Sequence, residues 1–197
     1  MRLLGAWRPV MAAARACALA SLAVVPAGAE QAIPEQQVKA AYILNFARYA
    51  SWPALSDPRA PLVLCLAGQG TAEILRQLQS RAAGTHPLEL RTVSRIEDTE
   101  SCHAIYLASH ERNDRNDRAE RNERSRQNAW LVRLRDQAIL TIGDSSSFLA
   151  DGGIINMMPI DGSIRFEVNL TAAKHSGVSL HPRMLALAER VVGGEAK

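Results

Sequence analysis

The sequence lacks the short motifs that mark the commonest phosphate-, thiol- and zinc-dependent enzymes. It has no Walker loop, no G-x-G-x-x-G, no C-x-x-C and no H-E-x-x-H, so phosphate cradling, dithiol exchange and zinc proteolysis are without their usual signs. It also lacks an apolar run long enough to span a bilayer. The small and apolar stretch from Ala16 to Pro26 is about eleven residues, against the roughly 20 that a spanning helix needs. Cysteine is scarce, with three in 197 residues. These absences point away from a catalyst or an integral membrane protein and toward a binding role.

What the N-terminus does have is the pattern of a secretory signal. Arg2, Arg8 and Arg15 precede or flank the apolar stretch, and Ala27-Gly28-Ala29 forms a small-x-small cleavage site. The reading is a signal peptide over 1–29 and an exported mature chain from Glu30. Cys17 is not read as a lipoprotein site, because Arg15 stands where a lipobox wants apolar or small residues. Residues 1–29 hold three arginines and no acid, so the formal net charge of +3 falls to zero for the mature chain. Nothing in that balance calls for a polyanionic partner. Cys17 leaves with the signal, and Cys65 and Cys102 remain as an even pair in an oxidising compartment. They are read as one disulfide, against the alternative of two buried free thiols. Such a bridge closes a 37-residue loop, worth about 3.8 kcal/mol in the chain-entropy picture.

The mature length suits one domain of ordinary size. PEQQVKAAYILNFARYA (34–50) reads as a helix with Pro in its first turn, and Val38, Tyr42, Phe46 and Tyr49 recur as an apolar face. Pro53 ends it, and Trp52 is expected to turn back onto the domain. PLVLCLAG (61–68) is a continuous apolar run, as expected for a strand buried on both faces. TAEILRQLQSRAAG (71–84) supplies a helix. LELRTVS (88–94), HAIYLAS (103–109) and AILTIGD (138–144) supply further strands. Strands alternating with helices imply a parallel sheet with right-handed crossovers. GDSSSFLADGG (143–153) reads as a polar turn, with a short helix as the alternative. In GGIINMMPIDGSIRFEVNL, Asp161-Gly162 separates two strand-like runs, a strong hairpin signal, with Ile164, Phe166 and Val168 on the buried face. Asn169 is placed to cap LTAAKHSG, which Gly177 ends. Pro182 opens a last helix, PRMLALAERVV, with Met184, Leu185, Ala188, Val191 and Val192 toward the core, before a frayed GGEAK end. The fold expected is single-domain α/β: a mostly parallel sheet flanked by helices, with a C-terminal β-hairpin unit.

Few residues invite a chemical role. Cys102, His103 and His110 fall short of a metal set, since neighbouring strand residues point to opposite faces and no fourth ligand is evident. His175 and His181 flank a short loop and could tune binding with pH. Asp144, Asp151 and Asp161, each beside Gly or Ser, read as turn residues bonding the local backbone. The best candidate contact for a partner or ligand is the polar face of the hairpin: Arg165, Glu167 and Asn169, with Asn156 on the other strand. Met157 and Met158 before the turn add adaptable apolar surface. The competing reading is a cross-strand polar ladder facing water, with the methionines in the core.

The stretch ERNDRNDRAERNERSRQN (111–128) has arginine at every third position from Arg112 to Arg124, yet six arginines face five acids. Glu111–Arg115, Asp114–Arg118, Asp117–Arg121 and Glu120–Arg124 are all spaced i, i+4, a pairing worth roughly 0.2–0.5 kcal/mol each on a helix. No aromatic interrupts the run to stack on bases, which argues against nucleic acid. Asn113, Asn116 and Asn122 weaken helix propensity, so a solvated helix and a disordered loop stay open, in either case as a charged insertion between two strands.

Taken in order, VKAAYILNFARYASWP (38–53), LVLCLAG (62–68), CHAIYLAS (102–109) and LTIGDSSSFLADGGIINMMPIDGSIRFEVNLTAAKHSGVSLHPRMLALA (140–188) resemble the YfiR family of periplasmic proteins. The resemblance covers nearly the whole mature chain, with 111–128 as the main departure. It implies a non-enzymatic, cofactor-free domain that binds the periplasmic sensor region of an inner-membrane diguanylate cyclase and restrains cyclic-di-GMP synthesis, with biofilm formation and motility downstream. An outer-membrane lipoprotein would sequester it, and homodimerisation stays open. Cys65 and Cys102 match the two family positions that form a structural disulfide. A second cysteine pair found in some members is missing, which removes any redox control resting on it. The alternative class is a periplasmic small-molecule-binding sensor, with ligand at the carboxyl edge of the sheet.

Overall fold

In the computed structural model, the described residues are 33–51, 55, 57, 59–79, 86–109 and 117–194. In chain order the elements are α1 (Glu35–Tyr49), β1 (Ala50–Ser51), β2 (Leu62–Ala67), α2 (Thr71–Gln79), β3 (Leu88–Thr92), a 3₁₀ turn (Ile96–Thr99), β4 (Ala104–Leu107) and α3 (Asp117–Leu134). After these come β5 (Leu140–Gly143), β6 (Ile155–Ile160), β7 (Ser163–Asn169), α4 (Leu170–Ser176), β8 (Ser179–Leu180), α5 (Pro182–Leu185) and β9 (Arg190–Val192). The signal segment, Trp52 and Pro53, residues 80–85, His110, residues 111–116 and the last three residues lie outside the described set.

Seven strands form one sheet in the order β3-β2-β4-β5-β6-β7-β9. From β3 through β6 all neighbours are parallel, β7 returns antiparallel to β6, and β9 runs parallel to β7. This is the expected mostly parallel sheet. Every residue of β2, β4 and β5 is buried, as continuous apolar runs require when helices cover both faces. A separate two-stranded ribbon joins β1 to β8.

Side chains alternating along the strands feed two cores. Leu62, Leu64, Leu66, Tyr106, Leu140 and Ile142 pack under α1 and α2, where they meet Ile155, Phe166 and Met184. Val63, Cys65, Ile105 and Leu107 pack on the opposite face with Leu131, Leu134 and Phe148. Phe46 of α1 and Phe166 of β7 meet edge-on at 4.9 Å, with Tyr42 5.7 Å from each. That aromatic group ties the first helix to the hairpin.

The buried face of α1 is turned from the one the aromatic spacing suggests. Ala40, Ile43, Leu44, Phe46 and Ala47 are buried, Val38 and Tyr42 only flank the core, and Tyr49 is exposed. The helix is apolar over much of its circumference, so periodicity alone does not fix its rotation. Lys39 lies on this buried side.

The hairpin forms as the Asp161-Gly162 pair predicts. Asp161 and Gly162 have φ of 49° and 73°, the positive values that a type I′ turn requires at both central positions. Asn169 caps α4 by accepting from the Ala172 N–H.

Two regions depart from expectation. The last helix is only one turn, α5, and residues 190–192 are a strand rather than its continuation. The outer edge of β7 offers unpaired backbone groups, and the β-branched Val191-Val192 satisfies them as β9. Met184 is buried as expected, whereas Val191 is exposed. Residues 117–128 of the charged stretch are helical and run without a break into Trp130, Leu131 and Leu134, forming the crossover helix between β4 and β5.

Candidate functional site

The chain passes from β2 to β3 on one side of the sheet and then to β4 on the other. The loops leaving β2 and β4 therefore diverge at the carboxyl edge, the place where α/β sheets open a crevice. Gly68, just after β2, has φ of 99°, and a Cβ there would stand 2.5 Å from the Ala108 carbonyl oxygen, so only glycine lets the two loops meet. Beside them a cleft of about 220 Å³ opens toward α3, with Val93, Leu107, Gln127, Arg126 and Trp130 among its walls. Gln127 is buried and braces it, donating to the Leu107 carbonyl at 3.4 Å and accepting from the Ser145 hydroxyl.

On the α1 side of the same edge sits a carboxylate that turn chemistry does not explain. Asp144 follows β5 and is buried. One oxygen accepts from Lys39 Nζ at 2.7 Å and from the Tyr106 hydroxyl at 2.6 Å, and the other from the Ser109 N–H at 2.7 Å. Lys39 also reaches Glu35 at 2.7 Å. Burial works to lower the Lys39 pKa, but the charge and hydrogen bond of Asp144, joined by Glu35, outweigh it and hold the ammonium above its ordinary value. This replaces the reading of Asp144 as a local turn residue: its partners come from α1, β4 and the loop after β4. With three donors on two oxygens it is an occupied structural centre, not a base presented to a substrate. Asp161 does stand in its turn, and Asp151 accepts from the Ser147 hydroxyl nearby.

The six hairpin residues separate by face. Asn156 pairs across the strands with Glu167, and Met158 with Arg165, so these share one side with Asn169. Met157 lies opposite Phe166 on the other side and is fully buried in the core, which removes it from any surface contact. Asn156 and Glu167 are buried as well, Met158 and Asn169 are half-buried, and Arg165 is exposed. The ladder is therefore covered rather than facing water along its length. Glu167 accepts two hydrogen bonds from Arg190 of β9, at 2.7 and 2.9 Å, a pairing set by the parallel register.

Cys65 in β2 and Cys102 ahead of β4 form a disulfide with a Cα separation of 5.9 Å. The closed loop contains α2 and β3, so the bridge fastens this edge of the sheet to its centre. His103 accepts from the Val63 N–H through Nδ1 at 3.1 Å. Burial, with His86 nearby, lowers its pKa, consistent with a neutral ring. His175 contacts Asp136 at 2.6 Å, and His181 caps α5 by accepting from the Arg183 N–H. A second cavity, about 300 Å³, lies between the end of α3 and α4, with Arg135 and His175 on its rim. Among the described residues no group of three His, Cys, Asp or Glu could hold a metal ion, and no helix is long and apolar enough to cross a membrane.

Fold and site together define a disulfide-braced α/β domain whose buried polar groups hold the carboxyl edge of the sheet in place. The chain belongs to the YfiR/HmsC-like family, whose model matches residues 36–189. That family is periplasmic, regulatory and non-enzymatic, and a disulfide is consistent with export. No curated protein matches the chain. Among solved structures it is similar to a conserved domain protein from Vibrio cholerae O1 biovar El Tor, at 14% identity and a TM-score of 0.43 over 66% of this chain. It is also similar to the ABC domain from Streptococcus pneumonia in complex with L-Trp, at 10% identity and 0.46 over 78%. The chain covers 54% and 60% of those two proteins.

Proposed function

We propose that the chain is a periplasmic negative regulator that binds the periplasmic sensor region of an inner-membrane diguanylate cyclase and restrains cyclic-di-GMP synthesis. The observation that carries this reading is the family match across 36–189. The disulfide supports it, since Cys65 and Cys102 stand at the two positions that the resemblance assigns to the family's structural bridge. The contact surface in this reading is the polar side of the hairpin, where exposed Arg165 of β7 and half-buried Met158 of β6 pair across the strands, with β9 forming the sheet edge beyond β7. Edge strands and methionine both suit protein contacts. An outer-membrane lipoprotein would compete by sequestering the chain.

Deleting the gene is expected to raise cellular cyclic-di-GMP and biofilm, and complementation to reverse both. Unchanged cyclic-di-GMP with the cognate cyclase expressed would remove the reading.

A further inference from the structure

We propose that the amino end of the β2–β4 pair is an acid-operated latch, in which protonation of His103 releases Val63 while the rest of the sheet stays closed. Two histidines meet the backbone at this end, both through Nδ1. His103, just ahead of β4, accepts there from the Val63 N–H at 3.1 Å, and its backbone N–H donates to the Val63 carbonyl at 2.9 Å. The imidazole thus closes one further position of the strand pair, ahead of the register that begins with Leu64 and Ala104. His86, ahead of β3, has its Nδ1 3.1 Å from the Ala60 carbonyl oxygen.

The two contacts need opposite protons. A carbonyl oxygen accepts, so His86 Nδ1 carries a proton, and a second proton on Nε2 leaves that bond in place. A backbone N–H donates, so His103 Nδ1 is bare and the ring proton sits on Nε2. Protonating His103 sets two donors face to face and leaves the N–H of buried Val63 without its acceptor, so the contact opens. One ring responds to acid and the other does not. Burial of His103 disfavours its charged form. Among the described residues the titratable group that acts on it is His86, whose positive charge opposes a second one. β2 and β5 face His103 with backbone groups, the Val63 N–H and the Leu140 N–H that donates to the His103 carbonyl. The latch therefore stays shut at neutral pH and opens below the ordinary histidine range. The opening is local. Cys65, two residues past Val63, is bridged to Cys102 beside His103, and β4 is held on its other side by β5 from Ala104 to Leu107.

The test is NMR on the oxidised chain from Glu30 onward, from about pH 8 to about pH 4, a span that brackets ordinary histidine titration. Imidazole nitrogen shifts are expected to show His103 as the Nε2–H tautomer at the alkaline end. Amide hydrogen exchange, taken relative to the unstructured rate at each pH, is expected to show Val63 losing about tenfold of its protection as His103 titrates, the size of one lost hydrogen bond, while Ile142 in the sheet centre keeps its own. His103→Asn puts a non-titrating amide oxygen in the place of Nδ1, so Val63 should stay protected throughout. His86→Asn removes the neighbouring charge while its amide still donates to Ala60, so the His103 midpoint should rise toward 6.5. An Nδ1–H tautomer for His103, a Val63 protection that ignores pH, the same acid loss in H103N, or simultaneous loss at Val63 and Ile142 would each overturn the proposal. The tautomer and the wild-type exchange need no variant, so a substitution that fails to fold leaves the proposal open to refutation. No cyclase enters the experiment, so its failure and the failure of cyclase restraint are separate results.

Discussion

Asp144 and Glu167 are both buried carboxylates on the same sheet, and each is paired with a cation from another element. The cations differ: the Lys39 side chain is 9% exposed and that of Arg190 is 59%. Lys39 is enclosed between α1 and the carboxyl edge, while Arg190 reaches Glu167 from a short edge strand that meets solvent. The enclosed pair is shielded from water, with Glu35 of α1 as the other carboxylate on Lys39. The open pair can exchange Arg190 for water or for a partner's side chain at little cost. One is a fastener and the other is part of a surface.

Breaking each pair tests that contrast, and the largest effect belongs to the fastener. Lys39→Met leaves Asp144 as an uncompensated buried charge and is expected to cost about 3–5 kcal/mol in denaturant unfolding. Combining it with Asp144→Asn should recover part of the loss, because the amide oxygen still accepts from the Ser109 N–H and the Tyr106 hydroxyl can turn to accept from the amide NH2; no recovery would mean that packing, not charge, dominates there. Replacing Cys65 and Cys102 together with alanine is expected next, at about 2–4 kcal/mol, since the loop they close spans 37 residues. Arg190→Gln should destabilise far less than Lys39→Met; an equal loss would erase the distinction between the two pairs.

The smallest expected effects are in the pH profile. Lys39 holds its proton more tightly folded than unfolded, so its stabilisation is complete below its ordinary value of 10.5 and is lost as pH rises through the folded value. The alkaline fall should flatten in Lys39→Met. His103 is shifted the other way, so its contribution is present above 6.5 and is lost as pH falls through its lowered value. His103→Gln should remove that acid-side slope.

Much of the fold was legible because its signals are local. The all-apolar runs of β2, β4 and β5, the Asp-Gly turn and the Asn169 cap each depend on a few adjacent residues, and each forms as read. The disulfide was legible from the expected export signal and the even count of cysteines that would remain after it. What escaped depends on partners far along the chain. Lys39 and Asp144 are 105 residues apart, and turn chemistry gave Asp144 a sufficient local explanation. A signal was present: Lys39 stands on the stripe of Ile43 and Phe46 at i+4 and i+7, where a charge needs a buried partner. Residues 190–192 went to a strand because β7 offered an edge that no local propensity records. In the charged stretch, the fold adds pairings that the i, i+4 spacing does not offer: Arg124 to Asp151 at 3.4 Å, and Arg126 to Glu123 one turn back.

The proposal that this domain restrains a membrane cyclase is tested most directly by titrating the oxidised chain from Glu30 onward into the isolated periplasmic region of a candidate cognate diguanylate cyclase from the same organism. The expected result is saturable binding that Arg165→Glu weakens and that Arg126→Gln, in the cleft beside α3, leaves intact. Absence of binding by the folded, oxidised chain would contradict the claim.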